Sequence, residues 1–265
     1  MPVDREFLVT ACAPPSEAML GASVGAPILE VLPSLLRGAL PAGSTVHIAL
    51  QRIPRRTQTR LAYEVEAQAP LERAQRLRKE HGIAFWDALL METVAEGERL
   101  PAAVLDAAQF HQVTQTYEEI GIDEVSTPRL QELCDGLGPR EIVSCLSMVM
   151  SGGAVRQLPL LDFALPAGTP QSEVVAQQVV ERLHVPGWLF RSGRSFHFYG
   201  GLVLSQNEWH AFLGRASLFS PLVDQRWIAH QLIEGCAALR ISPGYERQIA
   251  PTLVCAVSPA SRRTS

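Results

Sequence analysis

The segment LFRSGRSFHFYGG, residues 189–201, concentrates polar chemistry among aromatics: Arg191, Arg194, Ser195, His197 and Tyr199 alternate with Phe190, Phe196 and Phe198. A core strand does not require so many donors, and a surface loop does not require the rings. Ser195 and His197 stand two residues apart, so in an extended chain they project to one side. Asp162 ends the apolar run LPLLD, Asp224 ends the apolar step PLVD, and Arg240 sits in ALRIS. Two carboxylates, a Ser/His pair and arginines suit a divalent ion carrying a phosphate chain. Hard Mg²⁺ or Mn²⁺ takes carboxylate and phosphate oxygens. His and Arg neutralise the phosphate charge that remains.

Each residue also has a plainer reading. His197 between two Phe residues can be a satisfied core histidine. Asp162 can cap a strand-to-loop turn, and Asp224 can cap a helix. Arg240 can pair with any surface acid. Arg191, Gly193 and Arg194 can form only a hairpin turn, and Trp188, Trp209 and Trp227 read as core.

The elements that must position these groups are legible in outline. EIVSCLSMVMSGGAVRQLPLLDF reads as a helix or strand entering a hairpin that turns at Ser151-Gly152-Gly153. TPQSEVVAQQVVERL is a helix, with Thr169 as N-cap and Pro170 at its first position. GWLFRSG and SFHFYGGLVL are strands. SQNEWHAFLGRASLF opens a helix with Ser205 and Glu208 at capping-box spacing. QRWIAHQLIEGCAALRIS is a helix ending near Gly235 and passing into a strand, and PTLVCAV is a last strand.

The first half is mixed. EFLVTACA, STVHIALQRI and RLAYEVEAQ read as strands, and PRRTQTR brings Arg55, Arg56 and Arg60 into a linker. SEAMLGASVGAPILEVLPSLLRGAL, APLERAQRLRKEHGIAFWDALLMETVAEG (broken at Gly82), PAAVLDAAQFHQVTQTYEEI and RLQELCDGL read as helical. Gly136, Gly138 and Pro139 suggest a boundary. The fold class expected is therefore α/β, more strictly α+β: an N-terminal mixed region over residues 1–138, a module with a mostly antiparallel sheet over 139–258, and a frayed tail over 259–265.

Composition bounds the partners. The 265 residues are 47% hydrophobic and 19% charged, enough for a core, and the net charge of −4 excludes a dominant basic field for non-specific DNA binding. Lys79 is the only lysine, so an anion site would be built from arginine forks. Five scattered cysteines with no CxxC spacing suggest reduced thiols in a cytoplasm and no zinc site. The opening MPVDREFLVTACAPP lacks the basic region of a secretory signal. No apolar run reaches membrane-spanning length, so no membrane partner is expected. There is no P-loop, HExxH or GxSxG signature.

The order of LLDFA, then SFH, then LVD, each in strand-helix context, resembles the archaeo-eukaryotic primase superfamily, the primase-polymerases, over residues 140–258. That family carries two acids spaced Asp-x-Asp, a Ser-x-His nucleotide motif and an apolar-Asp motif. The resemblance implies that Asp162 and Asp224 are the catalytic, metal-holding acids for Mg²⁺ or Mn²⁺. It implies that Ser195, His197, Arg194 and Arg240 bind the nucleotide, with Gly200 and Gly201 turning the backbone away. The chain departs from the pattern at Ala164, where the second acid belongs; Glu173 is the nearest substitute in sequence. Two-ion phosphoryl transfer uses several carboxylates. The expected function is a divergent primase-polymerase-like protein that binds a nucleotide or nucleic acid end, with nucleotidyl transfer weak or lost. A non-catalytic adaptor in a bacterial defence or regulatory system, with protein partners, and a phosphodiester nuclease remain as alternatives.

Overall fold

The computed structural model describes residues 23–52, 65–81, 83–95, 102–109, 114–244 and 248–259. It divides into two compact units, one formed by Met1–Arg52 with Gln115–Ser265 and the other by Ile53–Thr114. The elements in chain order are α1 (Ile28–Ala39), β1 (Thr45–Arg52), α2 (Val65–His81), α3 (Phe85–Ala95), α4 (Ala102–Gln109), β2 (Thr114–Gly121), α5 (Thr127–Asp135), β3 (Glu141–Ser151), β4 (Ala154–Gln157), β5 (Leu160–Asp162), α6 (Pro170–Leu183), β6 (Gly187–Arg191), β7 (Phe196–Gly200), α7 (Gln206–Ser217), α8 (Gln225–Glu234), β8 (Ala238–Arg240) and β9 (Thr252–Val257).

The larger unit holds two sheets. One has the order β2-β1-β3-β4, with β8 also on β3; the other runs β5-β7-β6-β9. The pairings of β3 with β1, β4 and β8, and of β7 and β9 with their neighbours, are antiparallel. The eleven-residue β3 is the spine of its sheet, and its run IVSCL is buried. Gly152 (φ +59°) and Gly153 (φ +76°) turn β3 into β4. Two consecutive positive φ values are what a tight hairpin matching strand twist requires, and only glycine adopts them freely. Register sets Gly187 opposite Gly200. A Cβ on Gly187 would meet the Tyr199 carbonyl at 2.3 Å, and one on Gly200 would meet Pro159 at 2.7 Å. Gly200 therefore lies inside β7 and permits close packing; it does not turn the chain away, as the sequence had suggested.

The smaller unit contains α2, α3 and α4 around a core of Leu71, Ala74, Ala88, Leu89 and Val104.

Several boundaries differ from those expected. The helix α2 begins at Val65, inside the stretch RLAYEVEAQ that alternates like a strand. Its four alternating positions run straight into Ala-, Glu-, Gln- and Arg-rich sequence, whose helix propensity prevails. PAAVLDAAQFHQVTQTYEEI splits into α4 and β2. Two threonines and a tyrosine favour a strand in its second half, and β1 supplies the partner. The chain also does not divide at residue 138, because β1 pairs with β3 from Thr45↔Met150 to Arg52↔Glu141. EFLVTACA, Arg55, Arg56, Arg60 and the tail from residue 260 lie outside the described residues.

Helix starts follow the sequence closely. Thr169 Oγ1 accepts from Ser172 N, and Ser205 and Glu208 form a complete capping box. The hydrogen bonds from Ser205 hold the Glu208 carboxyl below its usual range. A depressed carboxyl contributes stability that is present above its unfolded pKa and lost as pH falls through the folded one. Glu208→Gln, whose amide oxygen can still accept from Ser205 but carries no charge, should therefore lower stability at neutral pH by roughly 0.5 kcal/mol. The gap between the two proteins should close as pH falls through the carboxylate range. Urea titrations at pH 7 and pH 3 would check this, and a gap unchanged at pH 3 would remove the carboxylate from the cap.

Candidate functional site

Three of the six expected residues come together through backbone pairing. Asp162, the last residue of β5, lies opposite His197 of β7, and His197 lies opposite Phe190 of β6. Beyond β5, Phe163 forms an antiparallel bridge with Val223, and Asp224 N donates to Asp162 O at 3.1 Å. Residues directly opposite in antiparallel pairs share a face. His197, Asp162 and Asp224 thus form one lateral row, each step about 5 Å. His197 Nε2 is 3.5 Å from Asp162 Oδ1; the imidazole is almost fully buried and the carboxylate side chain is 21% exposed.

Asp224 has a second task. It is the N-cap of α8, and its Oδ1 accepts from Trp227 N at 2.8 Å. One carboxylate oxygen is thereby committed to the helix start. Among the described residues, no group of three or more His, Cys, Asp or Glu is placed to hold a metal ion by itself. The donor set fits a hard cation only in part: two aspartates offer oxygens, and the remaining positions of an octahedral ion would have to come from a ligand or water.

Ala164 falls where the alternation predicts. Phe163, between it and Asp162, is buried against Phe196 in an edge-on ring contact. Ala164 is exposed and, two residues from Asp162, lies on the same side of the chain. Glu173 does not replace the missing acid. It sits in the first turn of α6 and forms an ion pair with Arg191. Arg191 follows Phe190 in β6, so it occupies the sheet face opposite the one His197 shares with Phe190.

Ser195 and Arg194 lie in the four-residue loop joining β6 to β7. Gly193 there has φ +103°. Ser192 N donates to Ser195 O at 2.9 Å, and the two serine hydroxyls lie 3.2 Å apart. Ser195 is buried, Arg194 is exposed at the tip, and the Arg194 carbonyl accepts from Ala167 N at 2.9 Å.

Arg240 is not part of the row. It is buried, and its guanidinium donates to three carbonyls: Nη2 to Ser192 O at 3.0 Å, and Nη1 to Ile249 O at 3.3 Å and to Ser242 O. Both of its Nη atoms are thereby engaged with backbone carbonyls.

Tyr199 is the residue the sequence reading passed over. It lies two positions beyond His197, on the same face and fully buried. Its hydroxyl donates toward Leu239 O at 3.4 Å and Arg240 O at 3.5 Å. Burial pushes its phenol well above the ordinary value, so it stays protonated and has a proton to donate. Cys145, which burial pushes up to about 12, is inert as a nucleophile. The signal was present in FHFY, where His and Tyr share parity. Trp188 and Trp209 are core, as read, while Trp227 is half-buried.

Residues 122–250 match the model of the AEP-like family, archaeo-eukaryotic primase 1D-like. No curated protein and no solved structure matches the chain. Among the described residues, no helix is long and apolar enough to cross a membrane.

The double task of Asp224 can be separated by mutation. Asparagine caps a helix as well as aspartate does, whereas alanine does not. Asp224→Asn should leave stability within a few tenths of a kcal/mol, and Asp224→Ala should lower it by about 1 kcal/mol. Equal losses in thermal unfolding of the two variants would show that the charge, and not the cap, stabilises this corner.

Proposed function

Starting from residues 122–250 as a segment of the archaeo-eukaryotic primase-like family, we propose that the row of His197, Asp162 and Asp224 receives the phosphate end of a nucleotide together with one divalent cation. The observation that carries this reading is the seam Asp224 N–H to Asp162 O, which sets the acids of the first and third motifs side by side with the histidine of the second. Asp162 and Asp224 would hold the cation, Mg²⁺ or Mn²⁺. The cation would supply charge neutralisation for the phosphates. His197, fixed in its strand and facing Asp162, would orient the acid and donate to a phosphate oxygen. Arg194, exposed at the loop tip, would meet the outer phosphates, and Ser195 would hold the loop close to His197. With alanine at 164 and one oxygen of Asp224 committed to a cap, nucleotidyl transfer would be weak or absent, and binding would be the residual activity.

A second reading has its own support. The same shortage of carboxylates suits a platform that no longer binds metal and works through protein partners in a bacterial defence or regulatory assembly.

A nucleoside triphosphate with Mn²⁺ should raise the melting temperature. The stabilisation should approach about 2.7 kcal/mol at a hundredfold excess over Kd. His197→Ala should abolish the shift while still folding cooperatively. Flat melting curves across nucleotides with both Mg²⁺ and Mn²⁺ would favour the platform.

Cation and nucleotide should also bind with positive coupling, each tightening the other by the same factor. Ala164→Asp, adding a carboxylate beside Asp162, should raise Mn²⁺ affinity in the absence of nucleotide. Isothermal titration of the two proteins measures this. Equal affinities would mean that residue 164 does not face the cation and that LDFA is not a remnant of the two-acid motif.

A further inference from the structure

Arg240 stands in β8, which pairs with β3 in the five-stranded sheet. Its guanidinium reaches the carbonyl of Ser192, at the end of β6 in the four-stranded sheet. The same group holds the carbonyls of Ser242 and Ile249, in the connection from β8 to β9. That connection is itself stapled to β3: Val143 N donates to Ser242 Oγ at 3.0 Å, and Ile241 N donates to Val143 O at 2.8 Å. Tyr199 crosses the other way, from β7 to the carbonyls of Leu239 and Arg240. The two sheets are therefore stitched reciprocally at this point.

The tie to Ser192 acts on the loop that precedes His197, made up of Ser192, Gly193, Arg194 and Ser195. On one side the loop is held by Ala167 N on the Arg194 carbonyl; on the other it is held by Arg240 on the Ser192 carbonyl. We propose that Arg240 is a positioning residue: a buried clasp that fixes the 192–195 loop against the five-stranded sheet and so sets where Arg194 and Ser195 stand relative to the His197–Asp162–Asp224 row. This role rests on the nucleotide reading of the row only for its functional consequence; the clasp itself concerns the loop alone. An arginine fork is suited to the task because it presents several donors in a rigid plane, and three carbonyls converge on it. Lysine, with one compact head, cannot hold three carbonyls in the same directions.

Hydrogen–deuterium exchange on the full chain tests the clasp without any ligand. In Arg240→Met, peptides spanning residues 187–200 should exchange at least tenfold faster than in the wild type, while peptides of α7 should be unchanged. Arg240→Lys should fall between the two, and it carries the test if the Met variant does not fold. Nucleoside triphosphate titration forms the second arm. Where the wild type binds, Arg240→Met should weaken affinity about tenfold, and Mn²⁺ binding without nucleotide should not change. Unchanged exchange in residues 187–200 would overturn the clasp. Affinity lost with no loosening would overturn it too, since Arg240 would then be a direct contact. A wild type that binds no nucleotide would remove the row's proposed function, and the exchange result would still decide the clasp.

Discussion

The site depends on one short stretch of backbone pairing that belongs to neither named sheet. Asp224 N donates to Asp162 O, and Ala164 N and Leu165 N both donate to Leu222 O at 3.0 Å. These bonds join the end of β5 to the residues just before α8, although sixty positions of sequence separate them. Buried backbone groups must find partners, and Phe163 and Val223, the bridge residues between, are both buried. The pairing is thus enforced by the core and not by the acids. The acids are its passengers: whatever stands at 162 and 224 is carried into adjacency, with His197 alongside.

That constraint explains why the aspartate beside Asp162 is also a helix cap. A helix that starts immediately beyond a paired strand needs a cap there, because its first amides have no helical partners. An aspartate satisfies this with one oxygen and leaves the other for the row. The cap also brings the positive end of the α8 dipole toward the acids, which favours negative charge at that corner. A phosphate and a carboxylate would both benefit, so the corner suits an anion even where cation ligands are few.

Much of this was legible because it is local. Capping residues at Thr169, Ser205 and Asp224 and the paired glycines after β3 are properties of a few consecutive positions, whereas Ser195, read as part of the strand with His197, lies in the loop before it. What was not legible depends on distant partners. The strand character of TQTYEEIG emerges only beside β1, sixty residues earlier. The separate unit 53–114 interrupts a sheet whose halves recognise one another only once folded, so a composition shift at 136–139 looked like a boundary when it is a loop before β3. Arg240 read as a phosphate ligand because an arginine after an apolar-Asp motif fits that chemistry. Its three carbonyl acceptors come from residues 192, 242 and 249, and no spacing announces such a set.

The clasp and the row differ in their physical character. The five-stranded sheet also carries a polar chain that ties it to two helices. Ala237 N donates to Ser147 Oγ, Ser147 Oγ donates to Gln157 Oε1 at 2.6 Å, and Gln157 Nε2 donates to Gln206 Oε1 at 2.8 Å and Gly235 O at 3.2 Å. This chain binds the start of α7 and the end of α8 to β3 and β4. Buried networks of this kind resist substitution because removing one member leaves the others unpaired in a medium of low dielectric. The acids at 162 and 224 are half-buried and contribute little to such a network. Ala164 is exposed, so its side chain takes no part in these polar ties, and the scaffold tolerates an alanine or an acid there alike. The scaffold's own bonds therefore hold His197, Asp162 and Asp224 in one row whatever stands at residue 164.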